Sequence, residues 1–368
     1  MKEAILFPYD ISNIHLLMHQ DMLSDFRISG VVSPNSWGYA DEDAGSILGI
    51  DTGYIVRSSF EGLIDQCECV LFCESYLELP YESYLKEYIE YIAQKGKRLI
   101  FLGEYEQHCE EIKYIAKRYN AEYEFIVKKD DKKYEEMYCY KMKDIPVPII
   151  TVIGTNERTN KFDTQLSVGK FFREQGYKVL QIGTKGYSNI FDMIAYPKFM
   201  YNQELSTTNR IQQFNYYIHS LCIEQKPDVV ILGVPGAAFP MDNKFHNNFG
   251  FHNYLVSNAI LSDYTICSIP YEDYKEDYFN YLSTHIKYKY GYNINCFIIA
   301  NQAIKWDETD NSEKIQYLTL DKETMNRKCR HYLDKNYPVF NIFDSKLNTM
   351  LTHSILDELY SNSDEELM

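Results

Sequence analysis

The residues best suited to chemistry lie in the turn-rich segment Gly154–Lys161, which reads GTNERTNK. An apolar run that ends at Ile153 precedes this segment, and a helical pattern over Phe162–Gln175 follows it. A second apolar strand, Lys178–Ile182, comes next. A loop between a buried strand and a helix N-terminus is typical of a phosphate site, because its backbone amides and a lysine can face an anion. The sequence therefore predicts a phosphate-binding loop here.

The candidate nucleotide ligands are the ends of this loop, the first helical positions and a lysine after the next strand. Their expected cofactor is ATP or GTP with Mg²⁺; otherwise no cofactor is expected. The candidate residues are Gly154, Thr155, Asn160, Lys161, Phe162, Asp163, Thr164 and Lys185. For Lys185, an ordinary solvated lysine is the alternative interpretation.

The loop departs from the usual pattern where the metal would bind. Asn160 stands in place of the glycine before the lysine, although asparagine tolerates left-handed backbone geometry better than most residues. Phe162 and Asp163 stand where a Mg²⁺-binding hydroxyl is expected, and Thr164 comes one place further on. The buried strand DVVIL ends in Gly233 rather than in an acid. These differences predict an intact backbone framework with degenerate metal chemistry.

A second candidate site follows the next glycine-rich loop of the same domain. Asp242, His246 and His252 lie in a polar segment beyond a predicted strand end, where ligands of α/β sheets bind. They could ligate a metal or supply a base with a near-neutral pKa. A polar surface loop with two ordinary histidines is the alternative.

Composition and charge narrow the class of protein. The chain has 368 residues and a formal net charge of −16, which disfavours nucleic-acid binding and attraction to an anionic membrane. No apolar stretch approaches the ~20 residues of a membrane span, and the N-terminus lacks a signal-peptide pattern. Nine scattered cysteines fit reduced thiols. We expect a cytoplasmic protein.

Strands that alternate with helices predict an α/β fold with two doubly wound, mostly parallel sheets. We expect a Rossmann-like N-terminal domain over residues 1–144, a P-loop-NTPase-like domain over 149–303 and a C-terminal extension with helices over 304–368. The first domain lacks a G-x-G-x-x-G fingerprint, because Phe7–Asp10 (FPYD) stands in its place, so bound NAD is not expected. The charged segment 128–143 is predicted to form a surface hairpin or linker.

The spacing from Gly154-Thr155 to Lys161 resembles the loop of dethiobiotin-synthetase-like ATPases, whose G-T-x-x-x-x-G-K pattern has the same length. The order of features resembles a two-domain group with a Rossmann-like N-terminal domain and a P-loop C-terminal domain. Within that group the chain is similar to the clostridial peptide maturation system proteins. The resemblance implies a role in maturing a ribosomally made peptide, with a precursor peptide or a modifying enzyme as partner.

Three functions stay open at this point, and whether the chain is an enzyme is not decided. The preferred one is a pathway component with a degenerate nucleotide loop that binds the precursor peptide or a modifying enzyme. The rival is an active ATP-dependent ligase or acyl-activating enzyme, with Lys161 on the phosphates and Thr155 or Thr164 on the metal. The third is a scaffold or homodimer subunit, for which the 34 tyrosines would suit an interface.

Overall fold

The computed structural model describes residues 1–77, 79–103, 105–126, 141–332 and 337–365. Most of the predicted hairpin or linker at 128–143 therefore lies outside the described residues. The chain divides into two compact units. The first comprises Met1–Lys128 with Lys185–Ala195, and the second comprises Lys129–Thr184 with Tyr196–Met368.

The first unit is built on a five-stranded sheet in which every pair of neighbouring strands is parallel. The strands are β1 (Lys2–Phe7), β2 (Phe26–Val31), β3 (Cys69–Cys73), β4 (Arg98–Leu102) and β5 (Tyr123–Ile126). Their order in the sheet is β2-β1-β3-β4-β5. Every residue of β3 is buried, which is the pattern of a parallel strand covered on both faces.

The helices of this unit are short, and the two longer ones are amphipathic. They are α1 (Ile14–Met18), α2 (Lys86–Gln94) and α3 (Cys109–Tyr119). Apolar side chains spaced three and four residues apart on α2 and α3 join the sheet residues in one core cluster, including Ile89, Ile92 and Ile112.

The turn after β1 is closed by a side chain rather than by the glycines of a dinucleotide-binding fingerprint. The Asp10 carboxylate accepts hydrogen bonds from the amides of Ser12, at 2.9 Å, and Leu77, at 3.0 Å. Burial raises the pKa of Asp10, while these hydrogen bonds oppose the rise. The carboxylate thus accepts from the backbone amides at this turn. In a dinucleotide-binding protein, the amides of the corresponding turn bind phosphate.

The second unit contains the larger sheet. Its strands are β6 (Ile149–Gly154), β7 (Val179–Gly183), β9 (Val229–Gly233), β10 (Tyr264–Ile269), β11 (Ile294–Ile299) and, beyond a small hairpin of β12 (Gln302–Ile304) and β13 (Tyr317–Thr319), β14 (Val339–Phe340). The two-residue strand β8 (Ile194–Ala195) belongs to the first unit. Within the second unit the sheet order is β14-β11-β10-β6-β9-β7. Each neighbouring pair in that order is parallel, and the β12–β13 hairpin is antiparallel. The predicted fold class, α/β with two doubly wound and mostly parallel sheets, is confirmed.

The helices of the second unit connect these parallel strands. They are α4 (Lys161–Glu174), α5 (Thr207–Gln225), α6 (Phe251–Ala259), α7 (Glu276–Tyr290), α8 (Trp306–Asp310), α9 (Lys322–Tyr332) and α10 (Ser345–Glu365). Among the described helices, none combines the length and apolar character needed to cross a bilayer.

Strand β6 lies in the middle of this sheet, between β9 and β10. The carboxyl ends of all three strands therefore meet at one edge. Loops at that edge of a parallel sheet are where α/β proteins bind ligands. The segment Gly154–Lys161 leaves β6 there, so the fold places the predicted phosphate loop at the expected edge.

Candidate functional site

The loop begins at a residue that has no room for a side chain. A Cβ atom on Gly154 would lie 2.5 Å from Oγ1 of Thr159 and 3.0 Å from Cδ of Lys161. The loop therefore folds back over the end of β6, and only glycine fits beneath it. The Thr155 amide then donates to the Ser268 carbonyl at 2.9 Å, which ties the loop to β10.

Asn160 adopts the backbone conformation that a glycine adopts before the lysine of an ordinary phosphate loop. Its backbone has φ +55° and ψ 25°, in the left-handed region. Its carbonyl accepts from the amide and the hydroxyl of Thr164, each at 2.9 Å, and its side-chain oxygen accepts from the Asn301 amide at 3.0 Å. The departure at this position therefore preserves the geometry of the loop, which the carboxyl end of β11 also supports.

Lys161 is the first residue of α4 and is only 9% exposed. Its ammonium donates to the Gly236 carbonyl and, at 3.3 Å, to the Asn156 carbonyl. Burial lowers the pKa of Lys161 to about 8, and the charge of Glu157 opposes that shift. No carboxylate in the described part of the chain forms an ion pair with this ammonium. A buried cation held only by carbonyl oxygens is ready to receive an anion.

Several hydrogen-bond donors around Lys161 are also available. The amides of Glu157, Thr159 and Lys161 donate to no acceptor among the described residues. The hydroxyls of Thr155 and Ser268, which are 5% and 0% exposed, likewise have no partner there. Buried polar groups are normally paired, so this cluster fits an acceptor-rich ligand such as a phosphate.

The position of the metal-supporting acid is filled by a neutral side chain. A Cβ atom on Gly233, at the end of β9, would lie 2.2 Å from Nε2 of Gln165 and 2.3 Å from its Oε1. Gln165 is fully buried, and its amide donates to the Lys161 carbonyl at 3.1 Å. An acidic side chain on Gly233 would have to displace that amide. These residues therefore do not fit a Mg²⁺ ion in the usual place.

The helix start adds no free hydroxyl for a metal. Phe162 is 5% exposed and packs in the interior. Thr164 donates its hydroxyl to the Asn160 carbonyl. Asp163 accepts a hydrogen bond from the Asn160 side chain at 3.4 Å, and its place in the first turn of α4 suits a negative charge.

The remaining predicted site residues are Lys185 and the set Asp242, His246 and His252, and each of them contacts residues outside the phosphate loop. Lys185 belongs to the first unit, where its ammonium lies 5.9 Å from the ring centroid of Tyr187. His246 contacts the Asn243 carbonyl at 2.7 Å, and the His252 ring packs 4.6 Å from that of Tyr201.

Asp242 uses its carboxylate to accept from the amides of Lys244 and Phe245, both at 2.7 Å. Those hydrogen bonds lower the pKa of Asp242. Across the described ranges, no three or more His, Cys, Asp and Glu side chains are grouped so that they could hold a metal ion. The structure therefore does not bring Asp242, His246 and His252 together as a metal site.

A cavity of about 320 Å³ opens beside the start of the loop, and sequence reasoning missed it. Its walls include Thr155 and Asn156 of the loop, Phe239 after β9, Glu272 after β10 and Trp306 of α8. The signal in the sequence is the tyrosine spacing over Tyr274, Tyr278 and Tyr281, followed by Leu282 and His285.

No family model and no curated protein matches this chain. Among solved structures, a DUF1611 family protein from Anabaena variabilis matches with a TM-score of 0.57 and 10% identity, over 92% of this chain and 95% of that one. The chain shares the fold of that protein. An apo GTPase from Pyrococcus abyssi matches 56% of this chain and 83% of its own, with a TM-score of 0.28 and 17% identity. A dehydrogenase from Clostridium difficile matches 48% and 58%, with a TM-score of 0.27 and 16% identity. The last two scores are too low to support an argument.

Proposed function

We propose that the second unit binds the phosphates of ATP or GTP at Gly154–Lys161 and does not use Mg²⁺ to hydrolyse them. The buried Lys161 ammonium, the available loop amides and the unpartnered Thr155 hydroxyl support phosphate binding. The observation that carries the second half is the Gln165 amide, which fills the space beside Gly233 where a metal-supporting acid would stand. Lys161 and the amides would orient the phosphates electrostatically.

We further propose that this nucleotide-binding protein is a cytoplasmic component of a ribosomal peptide maturation pathway. Its partner would be the precursor peptide or a modifying enzyme, and a homodimer is compatible with the same role. The support is the resemblance carried by Gly154, Thr155 and Lys161 and by the order of the two domains, together with the fold. A pull-down with the products of neighbouring genes tests this proposal. Retention of none of them would contradict it.

The nucleotide test uses isothermal titration of ATP and GTP with and without Mg²⁺, together with an assay of phosphate release. The Lys161→Ala variant is compared with Lys170→Ala, a matched lysine further along α4. We expect wild type and Lys170→Ala to bind nucleotide with similar affinity whether or not Mg²⁺ is present. Loss of a charged donor should weaken binding in Lys161→Ala by about tenfold or more. Mg²⁺-dependent hydrolysis that disappears in Lys161→Ala would overturn the proposal.

The rival function, an ATP-dependent ligase or acyl-activating enzyme, has one specific observation in its favour. The 320 Å³ cavity begins at Thr155 and Asn156, so an acceptor could lie beside bound phosphates. In that case a peptide substrate should stimulate release of ADP or AMP from ATP, and Lys161→Ala should abolish this. If no nucleotide stabilises the protein in a thermal-shift titration, the ligase is excluded. An excess of roughly 100-fold over the Kd should add roughly 2.7 kcal/mol.

A further inference from the structure

The cavity beside the phosphate loop has a lining that combines aromatic rings with one carboxylate. Its lining comes from the start of the phosphate loop, the loops after β9 and β10, one face of α7, and Ile304 and Trp306 further along the chain. Several of its lining residues are aromatic, and the rings of Tyr274 and Tyr278 stack with centroids 4.5 Å apart. Trp306 is 43% exposed and Tyr281 is 65% exposed, so parts of this aromatic surface are open to a ligand. A cavity of this volume is at the small end for organic ligands and suits a side chain.

One carboxylate lies within this aromatic lining. Glu272 is half-buried, and its Oε1 accepts from Nε1 of Trp306 at 3.3 Å. Burial raises the pKa of Glu272, while that hydrogen bond opposes the rise. No lysine or arginine of the described residues forms an ion pair with Glu272. The neighbouring Asp273, in contrast, pairs with Lys328.

The two features together favour a cation. A half-buried carboxylate that has no cationic partner is stabilised when a positive charge binds it. The faces of Tyr and Trp rings attract ammonium groups through their quadrupole, by an amount that grows when the cation is desolvated. An anionic ligand would meet the Glu272 charge, and a purely apolar one would leave that carboxylate without a cation.

We propose that this cavity binds the side chain of a lysine residue in a peptide, with Glu272 accepting from the ammonium and Tyr274, Tyr278 and Trp306 packing around the alkyl chain. The assignment rests on the proposed function, because it names the part of the peptide that the second unit recognises. Since Thr155 lines both the cavity and the loop, the bound lysine lies next to the phosphate site.

The test is isothermal titration of the full chain with two matched peptides. One is acetyl-Gly-Lys-Gly-amide, and the other carries norleucine in place of lysine, which removes the charge and keeps most of the chain. We expect the lysine peptide to bind wild type at least about tenfold more tightly than the norleucine peptide, as a charged hydrogen bond would require. Equal affinity of the two peptides for wild type overturns the proposal, and this comparison needs no variant.

The variant Glu272→Gln should remove the preference for lysine, because an amide keeps the shape and loses the charge. Glu313→Gln is the matched control, since Glu313 is exposed and does not line the cavity. Circular dichroism confirms that each variant is folded. A lysine preference that survives in Glu272→Gln contradicts the assignment of Glu272.

Nucleotide binding on the same preparations separates this inference from the proposed function. If the lysine peptide binds and nucleotides do not, the cavity assignment stands and the nucleotide proposal fails. If nucleotides bind and the two peptides are not distinguished, the reverse holds.

Discussion

Lys161 determines most of what the candidate site can do. Its ammonium is buried without a carboxylate partner in the described ranges, and its pKa falls to about 8. A protein tolerates such an arrangement at a functional position, because burying a charge costs stability. The same feature that makes the site receptive to phosphate therefore destabilises the ligand-free fold.

The first prediction concerns stability and pH. Because the folded pKa of Lys161 lies below the unfolded value of 10.5, the unfolded chain holds the proton more tightly. The destabilisation is complete below pH about 8 and fades as pH rises from 8 towards 10.5. We expect Lys161→Met to raise the free energy of unfolding at pH 7 by about 2 kcal/mol while abolishing phosphate binding. Urea unfolding at pH 7 and pH 10 checks this. A gain that is equal at both pH values, or that Lys170→Met reproduces, would contradict the explanation.

The second prediction concerns Asn160. Its φ of +55° is strained for residues other than glycine and asparagine. We expect Asn160→Ala to lower stability by about 1–2 kcal/mol, and Asn160→Gly to cost less because glycine adopts this backbone freely. Thermal unfolding of the two variants makes the comparison. If alanine were tolerated as well as glycine, the left-handed backbone would not be the constraint at this position.

At the level of elements, the packing of α4 against the sheet determines whether a Mg²⁺ ion has room to bind beside the loop. Gln165 fills the space beside Gly233, and the Gln181 amide on β7 donates to the Gln165 carbonyl at 2.6 Å. The helix, β7 and β9 are thus joined by buried amides rather than by the hydroxyl and acid of a magnesium site. Residues on both α4 and β9 would have to change together to restore one.

The third prediction tests this contact with a double-mutant cycle. Gly233→Ala should lower the free energy of unfolding by about 1–3 kcal/mol, because the new Cβ meets the Gln165 amide. In the Gln165→Ala background the added cost of Gly233→Ala should be smaller, since the space is then free. Urea unfolding of the four proteins gives the coupling. Additive effects would show that the amide does not fill this position in solution.

At the level of the whole molecule, the C-terminal region completes the second unit. The sequence predicts that residues 304–368 form an extension with helices. In the structure, β14 from this region also forms an edge of the larger sheet. Helix α10 contributes Leu351 and Ile355, both fully buried. The larger core therefore depends on residues that lie beyond the phosphate loop and all of its neighbouring strands.

The fourth prediction follows from this packing. Ile355→Ala should lower stability by about 2–5 kcal/mol, because it leaves a cavity in the core. Met350→Ala, on the same helix but 44% exposed, is the control and should change stability by less than about 0.5 kcal/mol. Chemical denaturation of both variants provides the measurement. If Ile355→Ala behaved like the control, α10 would not be part of the cooperative core.

The sequence alone determined the features that local patterns encode. Apolar runs between helical patterns indicated parallel sheets, and the turn residues between Ile153 and Phe162 indicated a tight loop between a strand and a helix, because these signals depend on neighbouring residues. The sequence also showed that the strand ending at Gly233 has no acidic residue at its end. Only the tertiary structure showed that Gln165 takes the space beside Gly233, that Asn160 preserves the loop, and that loops after three strands line a cavity with Glu272. Those contacts join segments far apart in the chain, and no local periodicity specifies which side chain will fill a given space.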